Sequence, residues 1–131
     1  MNKKHLVYYY SSAILLLSLV ISCGGGSSGV TSTPTTGSAI LTWVAPTTDE
    51  GGGALTGLSG YYVYYGTSPR TGTDPKTCTK CGYTTKLLVG NVLTYTISNL
   101  PTGYTYYFSV TAYDPAGNES VFSTEGSKTI P

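Results

Sequence analysis

The chain has 131 residues, a formal net charge of +1 and only 10% charged residues, which is one domain's worth of sequence. Seven lysines and arginines stand against six acids with no run of like charge, so a basic nucleic-acid stripe and an acidic disordered tail are both excluded. Glycine (17) and tyrosine (13) are abundant, as suits a small β-rich domain outside the cytoplasm.

The first segment is an address. Lys3, Lys4 and His5 make a positive start, and residues 6–21 are apolar apart from Ser11, Ser12, Ser18 and the tyrosines Tyr8, Tyr9 and Tyr10. Ser22 then precedes Cys23, which completes the order of a secretory signal. The apolar stretch is a few residues short of the roughly 20 that a membrane-spanning helix needs. Val20-Ile21-Ser22-Cys23 resembles a bacterial lipobox. The resemblance implies that residues 1–22 are a lipoprotein signal peptide. Cys23 would be diacylated on sulfur, freed by cleavage on its N-terminal side, and acylated on its new amine, with palmitate among the expected chains. A plain signal peptide or a short anchor helix is the alternative. Several acyl chains hold firmly, since each buried CH₂ contributes about 0.8 kcal/mol. The expected location is the cell envelope, periplasmic or surface-facing. Gly24 stands where an Asp often signals inner-membrane retention, which favours the outer membrane of a Gram-negative cell.

Processing changes the inventory. Arg70, Lys76, Lys80, Lys86 and Lys128 remain against Asp49, Glu50, Asp74, Asp114, Glu119 and Glu125, so the mature charge is 5 − 6, or −1. No histidine remains. Residues 24–37 read GGGSSGVTSTPTTG, with Val30 the one apolar side chain. With Cys23 they form a flexible linker (23–37), spanning on the order of 20 Å.

Alternation begins at residue 38 and runs to 131. Residues 39–43 form a strand with Ala39, Leu41 and Trp43 on one face, stopped by Pro46. A loop over 47–60 holds Gly51, Gly52 and Gly53. Residues 61–65 form a second strand, with Tyr61, Val63 and Tyr65 on one face. Residues 84–89 and 94–98 are the third and fourth. Residues 104–113 are the longest, with Tyr106, Phe108, Val110 and Ala112 on one face. Residues 114–118 are dense turn chemistry, and a closing strand runs from about 120 to 130. No segment of the mature chain has convincing helical periodicity. Short alternating strands between turns argue for an all-β sandwich.

Residues 38–131 resemble a fibronectin type III domain of the bacterial extracellular kind. The carrying residues are Leu41-Thr42-Trp43 with Pro46, then Tyr61-Tyr62-Val63-Tyr64-Tyr65, and then residues 100–112, LPTGYTYYFSVTA. The resemblance implies an immunoglobulin-like β-sandwich. It also implies a tyrosine corner from Leu100 and Tyr106, where the hydroxyl caps a backbone group and leaves no unpaired donor. The family proline sits one place early, at Pro101. The first family strand is weak or merged into the linker. The resemblance places the linker at one pole of the sandwich and the loop carrying Cys78 and Cys81 at the other, pointing away from the membrane.

Cys78-Thr79-Lys80-Cys81 lies in a long connection, 67–83. Haem attachment needs a histidine where Gly82 stands. A zinc site needs four ligands, so these two thiols would require a dimer or carboxylates. In an exported chain the pair points first to a local disulfide that stiffens the loop. A redox-active dithiol stays open, although no helix follows to lower a thiol pKa. Asp49, Glu50 and the acids of 114–119 read as solvated turns. The Asp-rich spacing of a calcium loop is absent.

Strand alternation turns Tyr62, Tyr64, Tyr107 and Tyr113 away from the core, with Tyr83 near the edge of their face. Such a face suits sugar stacking or protein contact, although tyrosine also favours strands for structural reasons alone. No catalytic residue, metal or cofactor is implied. The mature chain lacks histidine, a nucleophile elbow and a phosphate-cradling Gly-x-x-x-x-Gly-Lys pattern. The expected function is non-catalytic: protein contact or spacing at the membrane surface through the lipid anchor. The alternative is binding of an envelope polysaccharide through the tyrosines.

Overall fold

The structure, a computed structural model, describes residues 35–49 and 52–131 together with the backbone of Leu16–Ser18. Its strands are β1 (Leu16–Ser18), β2 (Thr36–Thr42), β3 (Gly60–Gly66), β4 (Thr85–Gly90), β5 (Thr94–Pro101), β6 (Tyr104–Tyr113) and β7 (Gly126–Ile130). They form two antiparallel sheets, ordered β1-β2-β5 and β4-β3-β6-β7. This is the expected all-β, immunoglobulin-like sandwich. The lipobox and Cys23 lie outside the described residues.

The core follows from the period-2 alternation of the strands. Ala39 and Leu41 of β2, Ile97 and Leu100 of β5, Tyr61 and Val63 of β3, and Tyr106, Phe108, Val110 and Ala112 of β6 meet between the sheets with Trp43 and Ile130. Trp43 packs edge-on against Tyr61, with ring centroids 5.4 Å apart. Full burial of each large side chain stabilises the fold by about 1.5–3 kcal/mol. At the expected tyrosine corner, Leu100 is buried and the Tyr106 hydroxyl reaches the Pro101 carbonyl at 3.5 Å, a long bond.

The closing strand is shorter than expected. Regular pairing starts at Gly126, because residues 119–125 meet β6 through serine side chains. Ser120 and Ser123 donate their N–H groups to the carbonyls of Ala112 and Val110. Their hydroxyl oxygens accept the N–H groups of those same two residues, each at 2.9 Å. The edge of β6 is thus satisfied without a regular ladder.

Each end of the sandwich gathers a distinct set of connections. At one end β2 begins: Thr36 lies opposite Pro101, Thr102 N–H donates to Thr35 O, and Gly103 N–H donates to Ile130 O. At the other end Trp43 N–H donates to Leu93 O, and Ser59 N–H donates to Tyr113 O. Gly60 there approaches Gly90 so closely that a Cβ would sit 2.7 Å from the Gly90 carbonyl carbon. β3 runs back toward the first end, where Gly66 lies opposite Tyr107. The chain therefore enters β2 at the same end from which loop 67–83 departs. The family-based expectation put them at opposite poles. Residues 23–34 of the linker lie outside the described residues, so this relation concerns the start of β2 alone.

Candidate interaction surfaces

The outward-turned tyrosines sit on the expected face of the β4-β3-β6-β7 sheet, but that face is not open. Loop 67–83 folds back across it. Tyr64, Cys81, Tyr83 and Phe122 form a second buried cluster there, flanked by Tyr62, Cys78 and Tyr107. Tyr64 is only 2% exposed. Phe122 stands edge-on to Tyr64 at 4.8 Å and to Tyr83 at 5.7 Å. The expected four-tyrosine platform is corrected accordingly: Tyr64 is interior, and Tyr62, Tyr107 and Tyr113 are half-buried. Alternation fixed the direction of these side chains. It carries no information about what a distant loop lays over them.

Two carboxylates hold this cover down. Glu119 Oε1 accepts hydrogen bonds from Tyr64 Oη and Thr111 Oγ1, each at 2.6 Å, while its Oε2 meets Lys86 Nζ at 2.7 Å. The Lys86 ammonium also stands 3.9 Å over the Tyr62 ring. Glu125 Oε1 accepts from Tyr83 Oη at 2.6 Å and from Arg70 N–H at 2.8 Å. The Arg70 guanidinium donates to Ser123 O at 2.7 Å. Burial, reinforced by the bond to Glu119, pushes the Tyr64 hydroxyl far above its ordinary pKa. Burial and Glu125 do the same for Tyr83, with Ser109 and Arg70 opposing. Glu119 read from sequence as a plain turn acid, and Glu125 fell within the expected closing strand without a role. The signal that was available is their placement beside strand residues of one sheet face.

A disulfide joins Cys78 and Cys81, with Cα atoms 5.0 Å apart. Cys81 is 1% exposed and belongs to the second cluster. Lys80 and Cys81 both take positive φ (53° and 48°), followed by Gly82 at 94°. Left-handed backbone is costly for non-glycine residues. The disulfide and the buried Cys81 side chain hold this turn, and Thr71 N–H closes onto Cys81 O at 2.7 Å. Phe122 N–H donates to Thr73 O at 2.9 Å, which stitches the loop to the residues ahead of β7.

The end remote from the start of β2 carries exposed aliphatic side chains. Val44 is 57% exposed and Leu93 47%, and both adjoin the hydrogen bond from Trp43 to Leu93; Val92 is also exposed. Asp49 turns inward on its own loop, its carboxylate accepting Gly53 N–H at 2.7 Å. Asp114 holds Asn118 through both of its carboxylate oxygens. These acids therefore serve turns, as their setting suggested.

Comparison with protein families matches residues 28–127 to the fibronectin type III domain model. The chain belongs to the fibronectin type III family. The match begins inside the expected linker, and the sheets described above agree with it. Fibronectin type III domains are in general non-catalytic binding or spacer modules that mediate protein–protein interaction. Comparison with curated proteins found no match.

Proposed function

We propose that this fibronectin type III domain works as a lipid-anchored interaction module of the bacterial cell envelope, on the outer membrane if the cell is Gram-negative, without catalysis. Cys23 carries the anchor and the Gly/Ser/Thr segment behind it sets the reach. One observation favours contact with a protein: the chain enters β2 at one end, and the exposed Val44, Val92 and Leu93 cluster at the other. An anchor at the entry end turns those aliphatic loops away from the membrane. A strand of seven residues puts roughly 20 Å between the two ends. Aliphatic side chains on short loops over a rigid sandwich suit a protein partner better than a sugar. The polysaccharide reading rested on an open tyrosine platform, and Tyr64 is buried.

The test is a photo-crosslinking amino acid placed at Leu93 in the native cell. Discrete protein adducts are expected, and they should vanish when Cys23→Ser releases the protein from the membrane. Adducts that persist in the released protein, adducts to glycan alone, or none at all would contradict the reading.

A further inference from the structure

We infer that Cys78 and Cys81 form a reversible dithiol–disulfide switch, exchanged with a dithiol reductant, that fastens or frees loop 67–83 over the Tyr64 face. The inference goes beyond the interaction reading and does not depend on the anchor.

The two arms of the loop meet at the sulfur pair. Thr71 N–H, on the outgoing arm, donates to Cys81 O at 2.7 Å. Gly72 packs so closely there that a Cβ would stand 3.0 Å from Cys78 Sγ and 3.4 Å from Cys81 Sγ. Asp74 O lies 3.3 Å from Cys78 Sγ and 3.4 Å from Cys81 Sγ. Between these contacts Thr73 O accepts Phe122 N–H, and Phe122 stands edge-on to Tyr64 and Tyr83. The sulfur pair, the arm over 71–74 and the cover over Tyr64 thus form one run of contacts.

The returning arm needs its clasp. Lys80 and Cys81 hold left-handed φ values of 53° and 48°, and neither is glycine. Side chains with a Cβ leave that region when nothing holds them there. Thr79 makes no side-chain cap for the turn, and its one local backbone bond runs from Tyr83 N–H to Lys80 O at 2.9 Å. The disulfide closes its ring over these two residues. Opening the ring lets them relax, which draws Cys81 from the second cluster and Thr71 from its acceptor.

The sulfurs differ in access, and exchange starts at the one a reductant can reach. Cys78 is half-buried between exposed Thr77 and Thr79, whereas Cys81 is 1% exposed. A donor thiol gives up its proton and its thiolate attacks Cys78 Sγ. A mixed disulfide forms, the bond to Cys81 breaks, and Cys81 leaves as a thiolate that takes a proton. The second donor thiol, deprotonated in turn, attacks the donor sulfur of the mixed disulfide. Cys78 then leaves as a thiolate and is protonated. The donor ends as a disulfide, and two electrons and two protons have passed to the pair.

The test uses the full protein extracted from its membrane in detergent and equilibrated with dithiothreitol buffers of graded reduced-to-oxidised ratio. Free thiols and amide hydrogen exchange are read on the same samples. The pair should reduce while Val63 and Val110, in β3 and β6, stay protected. Exchange at the Thr71 and Phe122 amides should rise on the order of tenfold in step with the thiol count, and oxidised dithiothreitol should reverse it. Brief exposure to glutathione, quenched with a maleimide that caps the released thiol, gives the order of attack. Trypsin cuts after Lys80 and separates peptide 77–80 from 81–86. Glutathione is expected on 77–80 and the maleimide on 81–86. Reduction only where Val63 and Val110 also lose protection would mark a purely structural disulfide. Reduction that leaves Thr71 and Phe122 protected would mark one that fastens nothing. Either result overturns the inference and leaves the anchoring reading intact, and glutathione on 81–86 overturns the assignment of Cys78 as the attacked sulfur.

Discussion

Tyr64 and Glu119, 55 residues apart in the chain, meet in a 2.6 Å hydrogen bond on the sheet face turned away from the main core. The bond joins the middle of β3 to the segment ahead of β7 and fixes the second apolar cluster in place. Glu119 also accepts Thr111 and pairs with Lys86. Its replacement by alanine leaves a buried tyrosine hydroxyl and a buried threonine hydroxyl unpaired, at a cost of about 1–3 kcal/mol each before relaxation. Glu119→Ala should therefore destabilise by about 2–4 kcal/mol in denaturant titration. Glu119→Gln keeps an acceptor for both hydroxyls and loses only the partly exposed Lys86 pair, so it should cost under about 1 kcal/mol. Equal losses in the two variants would show that charge, not hydrogen bonding, holds the contact.

Alkali should reveal the buried tyrosines. Tyr64, Tyr83 and Tyr61 are all raised above the ordinary value of 10.0, with burial the first cause in each. A raised pKa in the folded state means that the native chain keeps protons the unfolded chain gives up. The resulting stability is fully present below about pH 10 and falls as pH rises beyond it. Absorbance at 295 nm should show the exposed tyrosines ionising first and these three only as the protein unfolds. Tyr64→Phe should flatten the alkaline loss of stability. A single smooth titration of every tyrosine without unfolding would contradict the packing.

The disulfide should act locally. Its ring is short, so its entropic contribution is small, on the order of 1–3 kcal/mol. Joint Cys78→Ser and Cys81→Ser substitution should lower stability by about that amount and speed hydrogen exchange across 67–83 while β3 and β6 stay protected. Global loss of protection would show that loop and sandwich fold as one cooperative unit.

The strands were legible because alternation is a local signal. Tyr61 and Val63, or Phe108 and Val110, declare an inward face within a few residues, and Leu100 with Tyr106 announces the corner. Three features were not legible, each for a long-range reason. The cover over Tyr64 depends on Cys81, Tyr83 and Phe122, whose segments have no shared local pattern. The late start of β7 depends on Ser120 and Ser123 hydroxyls standing in for ladder partners. The fold-back that brings the start of β2 and loop 67–83 to one end depends on strand order, a matter of topology. The candidate surface moved for the same reason, from the tyrosine face to the loops around Val44 and Leu93.

The intact mass of the protein extracted from its native membrane tests the central claim most directly. The account predicts a chain that begins at Cys23, with a diacylglyceryl thioether on its sulfur and an acyl group on its amine. A mass that retains residues 1–22, or an unmodified Cys23 in membrane-bound protein, would contradict it.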